Sequence, residues 1–176
     1  MACVDSCSHN ALQATLNKEG HIVPLIDESK CVNCKLCERV CPVVSKLPYS
    51  QSPVASSFAG WAKDKVVRKN SATAGAFSAL AQYVFSKGGV VCGASNVDGV
   101  LVKHICIEKV DELNKLQGSK YTQSNAEGIY KTVSVNLKQG KLVLFSGTGC
   151  QVAGLYGYLG KRKYSGRLIT VDLICG

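Results

Sequence analysis

Cys31-Val32-Asn33-Cys34-Lys35-Leu36-Cys37-Glu38-Arg39-Val40-Cys41-Pro42 decides how the rest of the chain is read. The stretch spells C-x2-C-x2-C-x3-C-P. At that spacing three thiolates wrap three corners of one 4Fe–4S cube, and the fourth cysteine lies across a short helix. Zinc takes four ligands in a tetrahedron, usually from two separated C-x2-C pairs, and fits this run poorly. A helix over Lys35–Arg39 stopping at Pro42 is expected.

Working outward, Cys3-Val4-Asp5-Ser6-Cys7 repeats the closing C-x3-C of the same run. This is the bacterial ferredoxin spacing, in which the last cysteine of each run serves the other run's cluster. Cys7 is therefore expected to complete a cluster with Cys31, Cys34 and Cys37. Cys3 and Cys41 would serve a second 4Fe–4S cluster that lacks two ligands here. The matching front pair would precede Met1, so the chain is expected to be a fragment of a longer protein. Between the two runs, Gln13–Leu16 and His21–Ile26 flank Asn17-Lys18-Glu19-Gly20, a hairpin signal.

Composition sets the outer bounds. The chain has 176 residues, ten cysteines, 46% apolar residues and a formal charge of +9. That apolar share excludes disorder, and no apolar run reaches the roughly 18 residues of a membrane span. With no secretory signal at the start, the cysteines point to metal or redox chemistry in a reducing compartment, hence a cytoplasmic protein, and not to a disulfide framework. The charge alone suggests an anionic partner. Each oxidised cluster with its thiolates carries about −2, so +9 becomes about +7 with one cluster and about +5 with two. The lysines are scattered and not interleaved with aromatics, which argues against nucleic acid.

Beyond a Pro- and Ser-rich joining segment, Val43–Ser57, helix and strand patterns alternate. Phe77, Leu80, Ala81, Val84 and Phe85 make one helical face that ends at Lys87-Gly88-Gly89, before a strand at Val90. Val100–Ile107 reads as a neighbouring strand. Asn125–Lys138 reads as a helix with Ser124 and Glu127 as its capping box. Lys141–Phe145 is a buried strand, Cys150–Leu159 a helix with Val152, Leu155, Tyr156 and Leu159 inward, and Leu168–Ile174 a strand. The β-α-β order predicts a parallel or mixed sheet.

Four stretches carry the remaining chemistry. Asn70-Ser71-Ala72-Thr73-Ala74-Gly75-Ala76-Phe77 sets small residues ahead of a helix, which suits a phosphate and equally suits close helix packing. Gly118-Ser119-Lys120-Tyr121-Thr122-Gln123-Ser124 offers a cation, an aromatic face and hydroxyls, or is an ordinary polar loop. Phe145-Ser146-Gly147-Thr148-Gly149-Cys150-Gln151 joins strand to helix. There Thr148 and Gln151 have capping-box spacing, and Cys150 is either a first-turn thiol activated by the helix dipole or a buried inert cysteine. Gly147-x-Gly149 with Asp172, 23 residues after Gly149, imitates a dinucleotide fingerprint, but Val152 stands in the third glycine's place. The fourth stretch is the strand Val171-Asp172-Leu173-Ile174-Cys175-Gly176.

Together these stretches resemble the coenzyme F420 hydrogenase/dehydrogenase beta-subunit family. In that family a ferredoxin-type N-terminus precedes S-S-S-G-G-x-F-S-A-L, G-S-K-Y-x-Q-S, F-S-G-T-P-C-Q-x-A-G-L and V-D-L-I-C-H-G. The resemblance covers essentially all of residues 1–176. It implies FAD beside the iron–sulfur module, held by Ser71, Thr73, Gly75, Ser119, Lys120, Tyr121, Ser146, Gly147, Thr148, Cys150 and Gln151, with Lys120 stabilising negative charge. The flavin would exchange hydride with a deazaflavin coenzyme, and single electrons would pass through the clusters to or from a partner subunit. The chain departs from the pattern at Ala72 and Ala74, which replace a serine and a glycine, at Gly149 in place of proline, and after Cys175, where the histidine is missing. A Cβ at Ala74 narrows the approach of backbone to a cofactor.

The expectation is thus an α+β ferredoxin-like cluster module, residues 1–48, followed by an incomplete α/β mixed-sheet flavin domain, residues 57–176. The function expected is that of an iron–sulfur flavoprotein oxidoreductase subunit, the alternative being an electron-transfer or docking module without catalysis of its own. His9, His21 and His104 show no ligand spacing and are assigned to surface or sheet positions. Cys92 and Cys106 are assigned to buried apolar positions in strands. Phe58 and Trp61 are assigned to packing on a strand, with flavin stacking by Trp61 the lesser reading.

Overall fold

The computed structural model describes residues 1–45, 56–72 and 74–175. Most of the joining segment and Thr73 fall outside these residues. The chain opens with α1 (Ala2–Ser6), the hairpin β1 (Leu12–Leu16) and β2 (Ile22–Ile26), and α2 (Leu36–Val40). The hairpin turn forms because the Asn17 side-chain oxygen accepts the amides of Glu19 at 3.1 Å and His21 at 2.8 Å. Helix α2 stops at Cys41, directly ahead of Pro42, as expected.

The second part contains α3 (Lys65–Lys69), α4 (Ala76–Ser86), β3 (Val90–Val97), β4 (Leu101–Ile107), a 3-10 turn (Val110–Lys115), α5 (Ile129–Lys138), β5 (Leu142–Thr148), α6 (Gly149–Leu159) and β6 (Arg167–Leu173). The sheet order is β4-β3-β5-β6, with β4 antiparallel to β3 and the other pairs parallel. Alternation along the strands feeds two cores. Val90, Cys92, Val143 and Phe145 pack under Tyr130, Val133 and Leu137 of α5 and Val152 and Leu155 of α6. Val91, Leu142, Leu144 and Ile107 face Ala81 and Val84 of α4 and Leu113 and Leu116 of the 3-10 turn. Each fully buried Val, Leu or Phe among these contributes roughly 1.5–3 kcal/mol. Ala2 of α1 and Val40 of α2 belong to the first of these cores. The cysteine-rich segment is therefore seated on α5 and α6.

Several expectations are corrected. Helix α5 begins at Ile129, not Asn125, and the Ser124–Glu127 box does not form. Asn125 instead exchanges backbone hydrogen bonds with β4, its amide to Val102 and its carbonyl from His104, both at 2.8 Å. Gly128, at φ +82°, then turns the chain into the helix. Cys92 is buried in its strand as expected, whereas Cys106 is only partly buried; the two oppose each other in register and are joined in a disulfide. Tyr156 does not face the core; its hydroxyl meets that of Thr170 at 3.1 Å on the outside of α6. Phe58 and Trp61 pack on no strand and are 92% and 67% exposed.

Candidate functional site

Four of the six N-terminal cysteines come together. Cys7, Cys31, Cys34 and Cys37 line one cavity of about 100 Å3, closed by apolar side chains that include Ala11, Leu12, Ile26 and Leu36. Cys3 and Cys41 do not line it; they sit at the start of α1 and at the end of α2. The hairpin is what joins the two cysteine segments. Leu12 pairs with Ile26, and the Asp27 amide donates to the Ala11 carbonyl at 2.8 Å, so the approach to Cys31 is held beside Cys7. Hydrogen bonds from Lys30 and Ser29 hold the Asp27 carboxyl down to about 2 and close the turn that leads into Cys31.

The loop itself is wound by non-glycine residues in the left-handed region, Asn33 at φ +53° and Lys35 at φ +59°. Each such residue costs about 1–2 kcal/mol. Left-handed residues inside a loop are a way of gathering backbone N–H groups around an anion, and an iron–sulfur cluster with its thiolates is one. The Cys7 sulfur already accepts the Ala11 amide at 3.3 Å, a contact of the type that tunes cluster potential. Burial pushes the Cys37 thiol up. Among the described residues no three His, Cys, Asp or Glu side chains gather closely enough for a single metal ion. Four thiols spread around one cavity suit a cube, in which each sulfur takes its own iron.

The candidate residues of the β5–α6 turn lie at the edge of the sheet where the parallel strands β3, β5 and β6 end. Ligands of open parallel sheets bind at this carboxyl edge. Ser146, Gly147 and Thr148 finish β5. The capping box forms as expected: the Thr148 amide donates to the Gln151 side chain at 2.9 Å, and the Thr148 side chain accepts the Gln151 amide. A Cβ on Gly147 would lie 2.9 Å from that Gln151 oxygen, so packing of the cap explains this glycine. Cys150 is exposed and 3.2 Å from the Thr148 hydroxyl, which removes the buried-cysteine reading. Asp172 stands opposite Gly147 in register and overlooks Gly149, where a Cβ would be 3.4 Å from its carboxylate.

Two short hydrogen-bond chains tie the three internal stretches together. In the first, the Ser71 hydroxyl shares its proton between the Val67 carbonyl at 2.7 Å and the Ser78 hydroxyl oxygen at 2.6 Å; Gln117 also donates to Ser78 at 3.2 Å. Lys120 donates to the Gln117 carbonyl at 2.7 Å and to that of Gly118 at 3.1 Å. Partial burial lowers the Lys120 ammonium from its ordinary value, and its protons are spent on its own loop. In the second chain, His104 Nε2 donates to the Ser146 carbonyl at 3.1 Å and Nδ1 accepts the Ser124 hydroxyl at 2.7 Å. The carbonyl fixes this tautomer because it can only accept. Burial holds the imidazole down to about 4, so it is neutral near pH 7. The ring also stacks on Phe145 with centroids 5.4 Å apart.

Ser119 and Tyr121 converge on neither chain; both are exposed, Tyr121 at 96%. Gly75 caps α4 at φ +74°, and a Cβ there would press on Ala62 at 3.1 Å, so backbone geometry suffices to require it. The sequence reading missed Ser78, Gln117 and His104 as links. For His104 a signal was present: it shares the inward parity of Val102 along β4.

Comparison with known proteins finds two matching stretches. Residues 1–44 match the 4Fe-4S dicluster domain, and residues 57–131 match the coenzyme F420 hydrogenase/dehydrogenase beta subunit N-terminal family. Among solved structures, the chain is similar to one from the xenon-derivatised F420-reducing NiFe hydrogenase complex of Methanosarcina barkeri. That likeness has 23% identity and a TM-score of 0.49, over 65% of this chain and 42% of that one. The chain thus spans less than half the length of that structure's chain. No curated protein matches the sequence. Among the described residues no helix is long and apolar enough to cross a membrane. The chain is thus similar to a 4Fe-4S dicluster domain over residues 1–44 and to the N-terminal region of the coenzyme F420 hydrogenase/dehydrogenase beta subunit over residues 57–131.

Proposed function

We propose that this chain is the electron-transfer part of an iron–sulfur flavoprotein oxidoreductase subunit. In this reading residues 1–48 carry the clusters and residues 57–176 a flavin-binding domain. Cys7, Cys31, Cys34 and Cys37 hold a complete 4Fe–4S cluster, and Cys3 and Cys41 contribute to a second. The observation that carries the reading is the single cavity lined by the four cysteines that the spacing pairs. When bound, a cluster supplies one-electron steps and FAD supplies the exchange between those steps and hydride transfer with a deazaflavin-type carrier.

The chain's own residues supply position and electrostatics. Left-handed turns at Asn33 and Lys35 shape the ligand loop, and the Ala11 amide bonds the Cys7 sulfur. At the sheet edge, neutral His104 braces Ser124 against the β5 carbonyl of Ser146 without adding charge. The hydroxyls of Ser146 and Thr148 at the end of β5 support a phosphate-bearing cofactor there. Electrons then pass to a partner protein or subunit.

Iron and sulfide analysis after anaerobic assembly tests this. The expected result is about four irons for the complete site, with the broad visible absorption of a cubane. Iron near background in anaerobically prepared protein sinks the reading. A second reading, an electron-transfer or docking module without catalysis, is favoured by one observation: Lys120 is turned onto its own carbonyls and Tyr121 stands open. It predicts cluster absorption but no FAD uptake under conditions that load the cluster.

A further inference from the structure

Asp5 lies midway between Cys3 and Cys7 and is 3% exposed. Its carboxylate accepts three backbone amides at the start of α5: Gly128 at 2.6 Å, Tyr130 at 3.0 Å and Lys131 at 3.3 Å. The first amides of a helix have no partner within it. Most helices satisfy them from an adjacent Ser, Thr, Asp or Asn. Here the cap comes from a residue at least 123 positions away, inside the cysteine-bearing segment.

The linkage continues through the residue whose amide Asp5 holds. Tyr130 is buried, and burial pushes its phenol above the ordinary range, with Cys150, Asp5 and Cys3 adding to the effect. Its hydroxyl donates to the Gln151 carbonyl at 3.2 Å. Gln151 in turn holds the Thr148 amide. Gly154, within the next turn of α6, keeps the space free: a Cβ there would stand 3.1 Å from the Tyr130 oxygen and 3.7 Å from the Ala2 Cβ.

We propose that Asp5 is a positioning residue that fixes the Cys3–Cys7 segment to the Thr148–Gln151 turn by way of Tyr130. The cluster ligands and the sheet edge are thereby kept at one separation, which electron transfer between them requires. The use of that separation rests on the electron-transfer reading; the mechanical link does not. The Asp5 charge, fixed two residues from Cys3 and two from Cys7, also favours the less negative, oxidised cluster.

The test uses the full chain with Asp5→Asn, Tyr130→Phe and the double substitution. Hydrogen exchange at the Thr148–Val152 amides is read together with the cluster midpoint potential after anaerobic assembly. Tyr130→Phe removes one hydroxyl and keeps the packing. It is expected to speed exchange at Thr148–Val152 about tenfold, with iron content and potential unchanged. Asp5→Asn is expected to speed exchange both at Gly128–Lys131 and at Thr148–Val152, and to move the potential to more positive values. The double substitution is expected to be non-additive at Thr148–Val152. Wild-type exchange at Thr148–Val152 in both single variants overturns the link. A wild-type potential in Asp5→Asn overturns the role of the charge. Failure of the unmodified chain to take up iron sinks the electron-transfer reading instead, and the exchange comparison still decides the link.

Discussion

The cysteine cavity and the sheet edge are held by different means. At the cavity the four thiols are close in sequence, apart from Cys7, and the loop that carries them turns through left-handed residues at Asn33 and Lys35. At the edge and in the stretches tied to it, the candidate groups come from positions 71 to 172, and buried neutral side chains, Ser78 and His104, stitch them together. A strained loop is stable when the bound group repays it. A stitched edge is stable by itself and titrates with its stitches. The cavity should therefore respond most to loss of a ligand, and the edge to pH and to small changes of shape.

The largest expected effect separates the two regions directly. Cys34→Ala should bring bound iron to background, whereas Cys150→Ala, at the exposed start of α6, should leave it at the wild-type level; iron analysis reads both. Equal loss from the two variants breaks the comparison, because Cys150 would then act as a ligand.

Next comes pH. The folded His104 imidazole is held near 4 and the unfolded one titrates near 6.5. Its contribution is fully present above pH 6.5 and is lost as pH falls toward 4, since only the unfolded chain takes the proton in that window. Denaturant unfolding should lose about 3 kcal/mol between pH 7 and pH 4 on this account. His104→Phe should remove that part of the slope, and an unchanged slope would take the stitching role from His104.

Smaller again is Gly75→Ala. It forces a Cβ into φ +74° and against Ala62, and should cost about 1–2 kcal/mol in unfolding free energy. Smallest is Thr148→Ala, which removes one half of the capping box for about 1 kcal/mol. Circular dichroism during denaturation measures both, and neither should alter the iron content.

What could be read from sequence follows the same divide. Cysteine spacing, the hairpin around Asn17–Gly20, the Thr148–Gln151 cap and the period of α4 are local patterns, and the chain folds to them. The start of α5 was misread because Ser124 and Asn125 are claimed by His104 and by the β4 backbone, both about 20 residues upstream. A capping signal states what a side chain is able to do, and tertiary partners decide what it does. The Cys92–Cys106 pairing was likewise invisible until the strand register set the two cysteines face to face. Ser71 lies in the small-residue stretch Asn70–Phe77, and its partner Ser78 sits one residue beyond it, in the first turn of α4.

Ala2 and Val40 sit in the same apolar core as Tyr130 and Leu155. If the cysteine cavity holds a cluster as proposed, its loss to oxygen reaches further than a lost electron carrier. A slackened ligand loop is expected to weaken the grip of α1 and α2 on the apolar flank of α5 and α6. Light scattering followed alongside the visible spectrum would then rise as the colour fades.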